Sequence, residues 1–134
     1  MLLDDRVAFV TAAGSGIGLA GAIALAAEGA FVVTSDIDGG LAEAATERIR
    51  RTGGKARALK LDVADDGALR DAVTETAGRH GRIDILHSHA GIQIPGALEQ
   101  VTADDMDASW RLNVRSHFVA ARTVMPLMRD QGGG

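Results

Sequence analysis

Apolar residues in this chain fall into short unbroken runs, and between the runs they return at helical spacing. Val7-Ala-Phe-Val10 and Phe31-Val-Val33 are continuous rather than alternating, the pattern of strands buried on both faces. Read in order, the runs predict strands over Arg6–Thr11, Phe31–Asp36, Ala56–Leu61 and Ile83–Ser88. Helices are predicted over Gly16–Glu28, Leu41–Arg51 and Asp65–Arg79, followed by a long one from Thr102-Ala-Asp-Asp105 to about Asp130. Ile17, Ala20, Ile23, Ala24 and Ala27 share one side of the first helix and are its expected buried face. Asp38-Gly39-Gly40 opens the second helix and Gly53-Gly54 stops it, while Asp65 suits the N-cap of the third. Four β-α units in strict alternation imply an α/β fold, a doubly wound parallel sheet with right-handed crossovers.

The last helix is different. Phe118-Val-Ala-Ala121 and Val124-Met-Pro-Leu-Met128 make its second half apolar almost all round, so burial on more than one side is expected. Pro126 removes a backbone donor there, and a kink is expected at the end.

Composition narrows the class without changing this picture. The 134 residues suit one domain, residues 1–134, with no linker or repeat. They are 46% apolar and 24% charged with a net charge of -4, which argues against nucleic acid or an anionic membrane as partner. Arg48, Arg50, Arg51, Lys55, Arg57 and Lys60 form a basic run, read as a solvated face against that acidic total. There is no cysteine, so disulfides and thiolate metal sites do not arise. No signal-peptide pattern opens the chain and no run reaches membrane-spanning length, so a cytoplasmic protein is expected. Tyrosine is also absent, and that limits the chemistry.

The chemistry-bearing stretch is Thr11-Ala-Ala-Gly14-Ser15-Gly16-Ile17-Gly18, between the first strand and the first helix. Glycines allow close backbone approach, and the unpaired N–H groups of a helix N-terminus attract phosphate. Asp36 ends the next strand, with Ile37 beside it, where a ribose hydroxyl needs an acceptor. Together they predict a dinucleotide site. A carboxylate at Asp36 accepts from both ribose hydroxyls and repels a 2′-phosphate, which predicts NAD rather than NADP. His87 and His89 share a strand face but have no evident third ligand, so no metal site is expected.

At these residues the chain resembles the short-chain dehydrogenase/reductase family. The family's Thr-Gly-x-x-x-Gly-x-Gly turn matches Thr11, Gly16 and Gly18, with Ala12 in place of the first glycine. Asp36 matches the acidic ribose-binding position of NAD-preferring members, and Asp62-Val63 the pair that contacts adenine after the third strand. Ser88-His89-Ala90-Gly91 stands where the family has Asn-Asn-Ala-Gly, so Ala90 and Gly91 are carried over as cofactor contacts. Asn113 matches the helix asparagine of the family's catalytic set.

The resemblance covers the whole chain but only about the first half of a typical member. It implies a Rossmann-type fold cut to about four β-α units. The family's catalytic serine and Tyr-x-x-x-Lys follow the position where this chain stops. The implied function is the NAD-binding part of an oxidoreductase that moves hydride between a nicotinamide cofactor and an alcohol or carbonyl substrate. The isolated chain is expected to bind NAD(H) weakly and turn over little, acting on substrate only if the other half is supplied. The alternative is a non-catalytic nucleotide-binding or dimerisation module. A methyltransferase-like domain is disfavoured, since no acidic residue adjoins the glycines and Asn113 would be unexplained. A homo-oligomer through the helix spanning 104–130 is expected, and the open edge of the fourth strand favours self-pairing.

Overall fold

The computed structural model describes residues 1–134. Four parallel strands, β1 (Val7–Val10), β2 (Phe31–Asp36), β3 (Lys55–Lys60) and β4 (Ile85–His87), lie in the order β3-β2-β1-β4. Helices α1 (Gly16–Ala27), α2 (Gly39–Arg51) and α3 (Asp66–His80) connect them. After β4 come α4 (Ala103–Trp110), a π-helical turn (Arg111–Arg115) and α5 (Ser116–Asp130). This is the doubly wound α/β arrangement that the alternation predicts.

The continuous apolar runs have the expected consequence. Every residue of β1 is buried, and successive side chains enter two different cores. Ala8, Val10 and Val32 pack with Ala22, Ala26 and Ile49 from α1 and α2. Phe9 and Val33 pack on the other face with Leu69, Val73, Val119 and Val124 from α3 and α5. The chain therefore crosses from one face to the other between β3 and β4, and the strand order reverses beside β1.

The helix boundaries follow local chemistry. The Asp38 carboxylate accepts from the N–H groups of Gly40 and Leu41, and that of Asp65 from Ala68. Thr102 and Asp105 close a capping box on α4, each side chain accepting from the other's backbone N–H.

Three expectations are corrected. α1 does not bury Ile17, Ala20, Ala24 and Ala27, and Ile23 is only half-buried; its buried residues are Gly18, Ala22 and Ala26. With alanine on every side, apolar periodicity cannot select a face, and the close approach of Gly18 to the preceding turn selects it instead. β4 is shorter than Ile83–Ser88. The Gln131 side chain takes both backbone groups of Ile83, and the Thr11 hydroxyl takes the N–H of His89. The long helix is not uniform either. At Arg111–Arg115 it widens, and the Ser116 N–H reaches back to the Arg111 carbonyl while the Ser116 hydroxyl donates to Leu112.

The last helix also buries less than its composition suggests. Ser116, Val119, Ala120 and Val124 face inward and α4 buries nothing. Met106, Trp110, Val114 and Phe118 remain exposed at four-residue spacing, with Met125 seven residues on, which aligns them along one outer face. α5 continues through Pro126 to Asp130.

Candidate cofactor site

Where the order of a parallel sheet reverses, a crevice opens outside the carboxyl ends of the strands. Here that point lies between β1 and β4, and the glycine turn sits at it. The turn is tied to its surroundings by backbone bonds: Thr11 N–H to the His87 carbonyl at 3.0 Å and Ala13 N–H to the Ser35 carbonyl at 2.9 Å. The Ser35 hydroxyl donates to the Val10 carbonyl, which fixes the ends of β1 and β2 together.

Ala12, which replaces the family's first glycine, takes a left-handed φ of +49°, so the turn keeps its shape at a steric cost. Two glycines are required by close approach. A Cβ on Gly18 would stand 2.1 Å from the Ala12 carbonyl oxygen, and one on Gly14 would meet Leu41 Cβ at 2.5 Å.

Ser15 is the N-cap of α1 but makes no side-chain capping bond. The N–H groups of Gly16, Ile17 and Gly18 have no partner in the fold, leaving a fan of donors at the positive end of the helix. Such a fan, next to a backbone bare of side chains, fits the pyrophosphate of a dinucleotide. Ile17 in the turn (69% exposed) and Ile37 next to Asp36 (64% exposed) are open apolar surface.

Asp36 is more engaged than its sequence position reveals. One carboxylate oxygen accepts from the Gly14 N–H and the other from the Asp38 N–H, each at 3.0 Å. Asp62 is exposed, and its side chain accepts from the Ala64 N–H at 2.9 Å. Val63 is buried in the core under α3.

The other wall is the segment that leaves β4. The Thr11 hydroxyl accepts from the N–H groups of His89 (2.8 Å) and Ala90 (3.1 Å). Asn113, in the π turn, pairs with the backbone of Ile92: its side-chain oxygen accepts from the N–H and its amide donates to the carbonyl, both at 2.8 Å. Gly91 lies against that side chain, close enough that a Cβ would be 2.8 Å from the Asn113 oxygen. Asn113 is thus a clamp on the rim of the crevice.

His87 packs its ring on Gly21 of α1, and the rings of His87 and His89 are 5.5 Å apart. Burial, and secondarily the nearby His89, pushes the His87 imidazole below its usual range. Sequence reasoning did not single out His117, whose Nδ1 lies 2.6 Å from the Ser88 hydroxyl. Nothing in the spacing of Ser88 and His117 marks them as partners.

The family model described as short chain dehydrogenase matches residues 6–134. The chain belongs to the short-chain dehydrogenase/reductase family. It is 40% identical over 131 residues to versicolorin reductase 1 of Aspergillus parasiticus, covering 97% of this chain and 50% of that protein. Among solved structures, a 7 alpha-hydroxysteroid dehydrogenase complexed with NADH and 7-oxo glycochenodeoxycholic acid superposes with a TM-score of 0.93 at 35% identity. That match covers 98% of this chain and 51% of the other. A metagenomic short-chain oxidoreductase in complex with NADP superposes with a TM-score of 0.95 at 30% identity, covering 100% of this chain and 61% of that one. The chain spans about half the length of the curated relatives it matches, and corresponds to the N-terminal, cofactor-binding part of a short-chain oxidoreductase. Nicotinamide cofactors of both kinds occur among its structural neighbours. No helix of the chain is long and apolar enough to cross a membrane.

Proposed function

We propose that residues 1–134 form the NAD-binding part of an enzyme that moves hydride between a nicotinamide and an alcohol or carbonyl. The observation that carries this reading is the Asp36 carboxylate at the end of β2, held against the glycine turn by the Gly14 and Asp38 N–H groups. An acceptor at that place suits the ribose hydroxyls of NAD and opposes the added phosphate of NADP. In this reading Gly14, Ser15, Gly16, Ile17 and Gly18 line the pyrophosphate and Thr11 supports the turn. Asp36 and Ile37 take the adenosine ribose, Asp62 and Val63 the adenine side, and Ala90 and Gly91 the nicotinamide side. Asn113 belongs to the catalytic set through its hold on the rim.

NAD bound there would supply the hydride acceptor. In this reading the proton of the alcohol leaves through a group outside these residues, because the tyrosine that moves it in the family is not among them. Titration of the purified chain with NADH, followed by fluorescence and with NADPH as control, tests the proposal. Saturable NADH binding with weaker NADPH binding is the expected result, and equal or absent binding overturns it.

The exposed stripe from Met106 to Met125 favours a second element of the reading, self-association through the 104–130 helix. If NADH does not bind while the chain still dimerises, an association module is the better description.

A further inference from the structure

We propose that His117 is a positioning residue of the cofactor crevice, acting through Ser88 to fix the segment Ser88–Ile92. The inference rests on the NAD-binding reading for its functional consequence, and on the hydrogen-bond geometry alone for its structural part.

β4 keeps ladder pairing for only three residues and then runs on without regular structure. Beyond His87 the segment is held largely by side chains reaching in from other elements. Thr11 takes the N–H groups of His89 and Ala90, and Asn113 takes both backbone groups of Ile92. His117 holds Ser88 at 2.6 Å in a partly buried setting, where a hydrogen bond is stronger than in water.

The bonds differ in what they constrain. Those from Thr11 and Asn113 fix backbone atoms. Only the bond to His117 fixes a side chain, and along extended backbone successive side chains point to opposite faces. His87 packs on Gly21 of α1, and His89 lies 3.3 Å from where a Cβ on Gly18 would stand. Ser88 points the other way, to α5. Its bond to His117 therefore sets the roll of the segment and seats His89 beside the first turn of α1, whose free N–H groups form the proposed pyrophosphate cradle. The distance between that turn and the Ala90–Gly91 rim is the width of the crevice.

Hydrogen exchange and NADH titration on the whole chain test this, using His117→Leu, His117→Asn, Ser88→Ala and the Ser88→Ala/His117→Leu double variant. Asparagine offers a polar atom at the place of Nδ1, so it retains the bond while losing the ring. Losing one such bond should speed amide exchange across Ser88–Ile92 by about tenfold in His117→Leu and Ser88→Ala. His117→Asn should stay close to wild type. The double variant should be no faster than either single one, because both remove the same bond. NADH affinity should fall in parallel, by about tenfold. Wild-type exchange in His117→Leu overturns the proposal, and so does a failure of His117→Asn to restore the slow rate. A wild-type chain that does not bind NADH overturns the cofactor reading instead, while the exchange measurements still decide whether His117 positions the segment.

Discussion

The Asp36 carboxylate accepts a hydrogen bond from the Gly14 backbone at 3.0 Å, across the mouth of the glycine turn. The group proposed to read the ribose is therefore also a strut of the phosphate cradle. A change at Asp36 alters recognition and turn shape together, and the two are separable by choice of substitution. Asp36→Asn keeps an oxygen for Gly14 but loses the charge. We expect it to weaken NADH binding by about tenfold, or about 1.4 kcal/mol, with a smaller fall in melting temperature than Asp36→Ala, since its amide nitrogen replaces only the oxygen that accepts from Asp38. Asp36→Ala should lose affinity and thermal stability both. Fluorescence titration and calorimetry on the two variants check this.

Two glycines in helices should respond oppositely to alanine. At Gly18 the new methyl would sit 2.1 Å from a backbone oxygen, which cannot move without opening the turn. Gly18→Ala should cost about 1–3 kcal/mol in urea unfolding. At Gly78 in α3 the methyl would meet nothing within 4 Å, so Gly78→Ala should stabilise by about 0.4–1 kcal/mol.

Asp84 sets the acid limit. Burial alone would raise its carboxyl, but hydrogen bonds from Arg82, the Val7 backbone and Arg6 outweigh it and hold the pKa at about 2. A carboxyl depressed in the fold contributes stability that is complete above its unfolded value near 4 and is lost as pH falls toward 2. We expect roughly 1–2 kcal/mol to disappear across that window. Asp84→Asn should be less stable at pH 7 and should show a shallower acid slope by circular dichroism.

Two histidines act at milder pH. Burial, with help from His89, lowers the His87 imidazole; burial, with help from Arg57 and Arg79, lowers that of His80. An imidazole held neutral by the fold binds its proton more readily when unfolded. Its contribution is full above pH 6.5 and declines as pH falls below it. Urea midpoints should therefore drop between pH 7.5 and 5, and His87→Val should flatten part of that decline.

The outer stripe of the last helix gives an association test. Trp110→Lys or Phe118→Glu places charge on a face that contributes nothing to the core, since both residues are about 60% exposed (60% and 61%). Folding should be unchanged while self-association, followed by light scattering against concentration, falls. Equal association in the variants would remove the stripe as the contact.

The parts legible in the sequence are those governed by short-range pattern. Continuous apolar runs gave β1 and β2 nearly to the residue, and Asp38, Asp65 and Thr102 marked their helix starts because a cap is a local event. The buried face of α1 was not legible, because Ala20 and Ala22 look alike to periodicity and the choice lies in the contact of Gly18 with Ala12. Nor was the shortened β4, whose missing pairs are replaced by Gln131 and Thr11 from distant parts of the chain. At the site, Asp36 was marked by position, but its bond to Gly14 was not. Asn113 was recognised by resemblance, and its hold on Ile92 came only with the fold. Ser88 and His117 meet across 29 positions of sequence and carry no local signature.

The widened turn at Arg111–Arg115 fixes the length of the last helix. An ordinary helix advances about 100° per residue, so five residues in a widened turn cover about the angle of four wound regularly, and winding these same five regularly would rotate everything beyond them by roughly 90°. Val124 would leave the sheet, Phe118 would turn toward it, and His117 would swing away from Ser88. The irregular turn lets one continuous rod present Asn113 to the crevice rim at one point and an apolar face to the sheet farther on. In this rod a single-residue deletion within Arg111–Arg115 should therefore be milder than one made within α5, where it would shift the inward face, and the exposed loop from Gln93 to Gln100 likewise has room to change length.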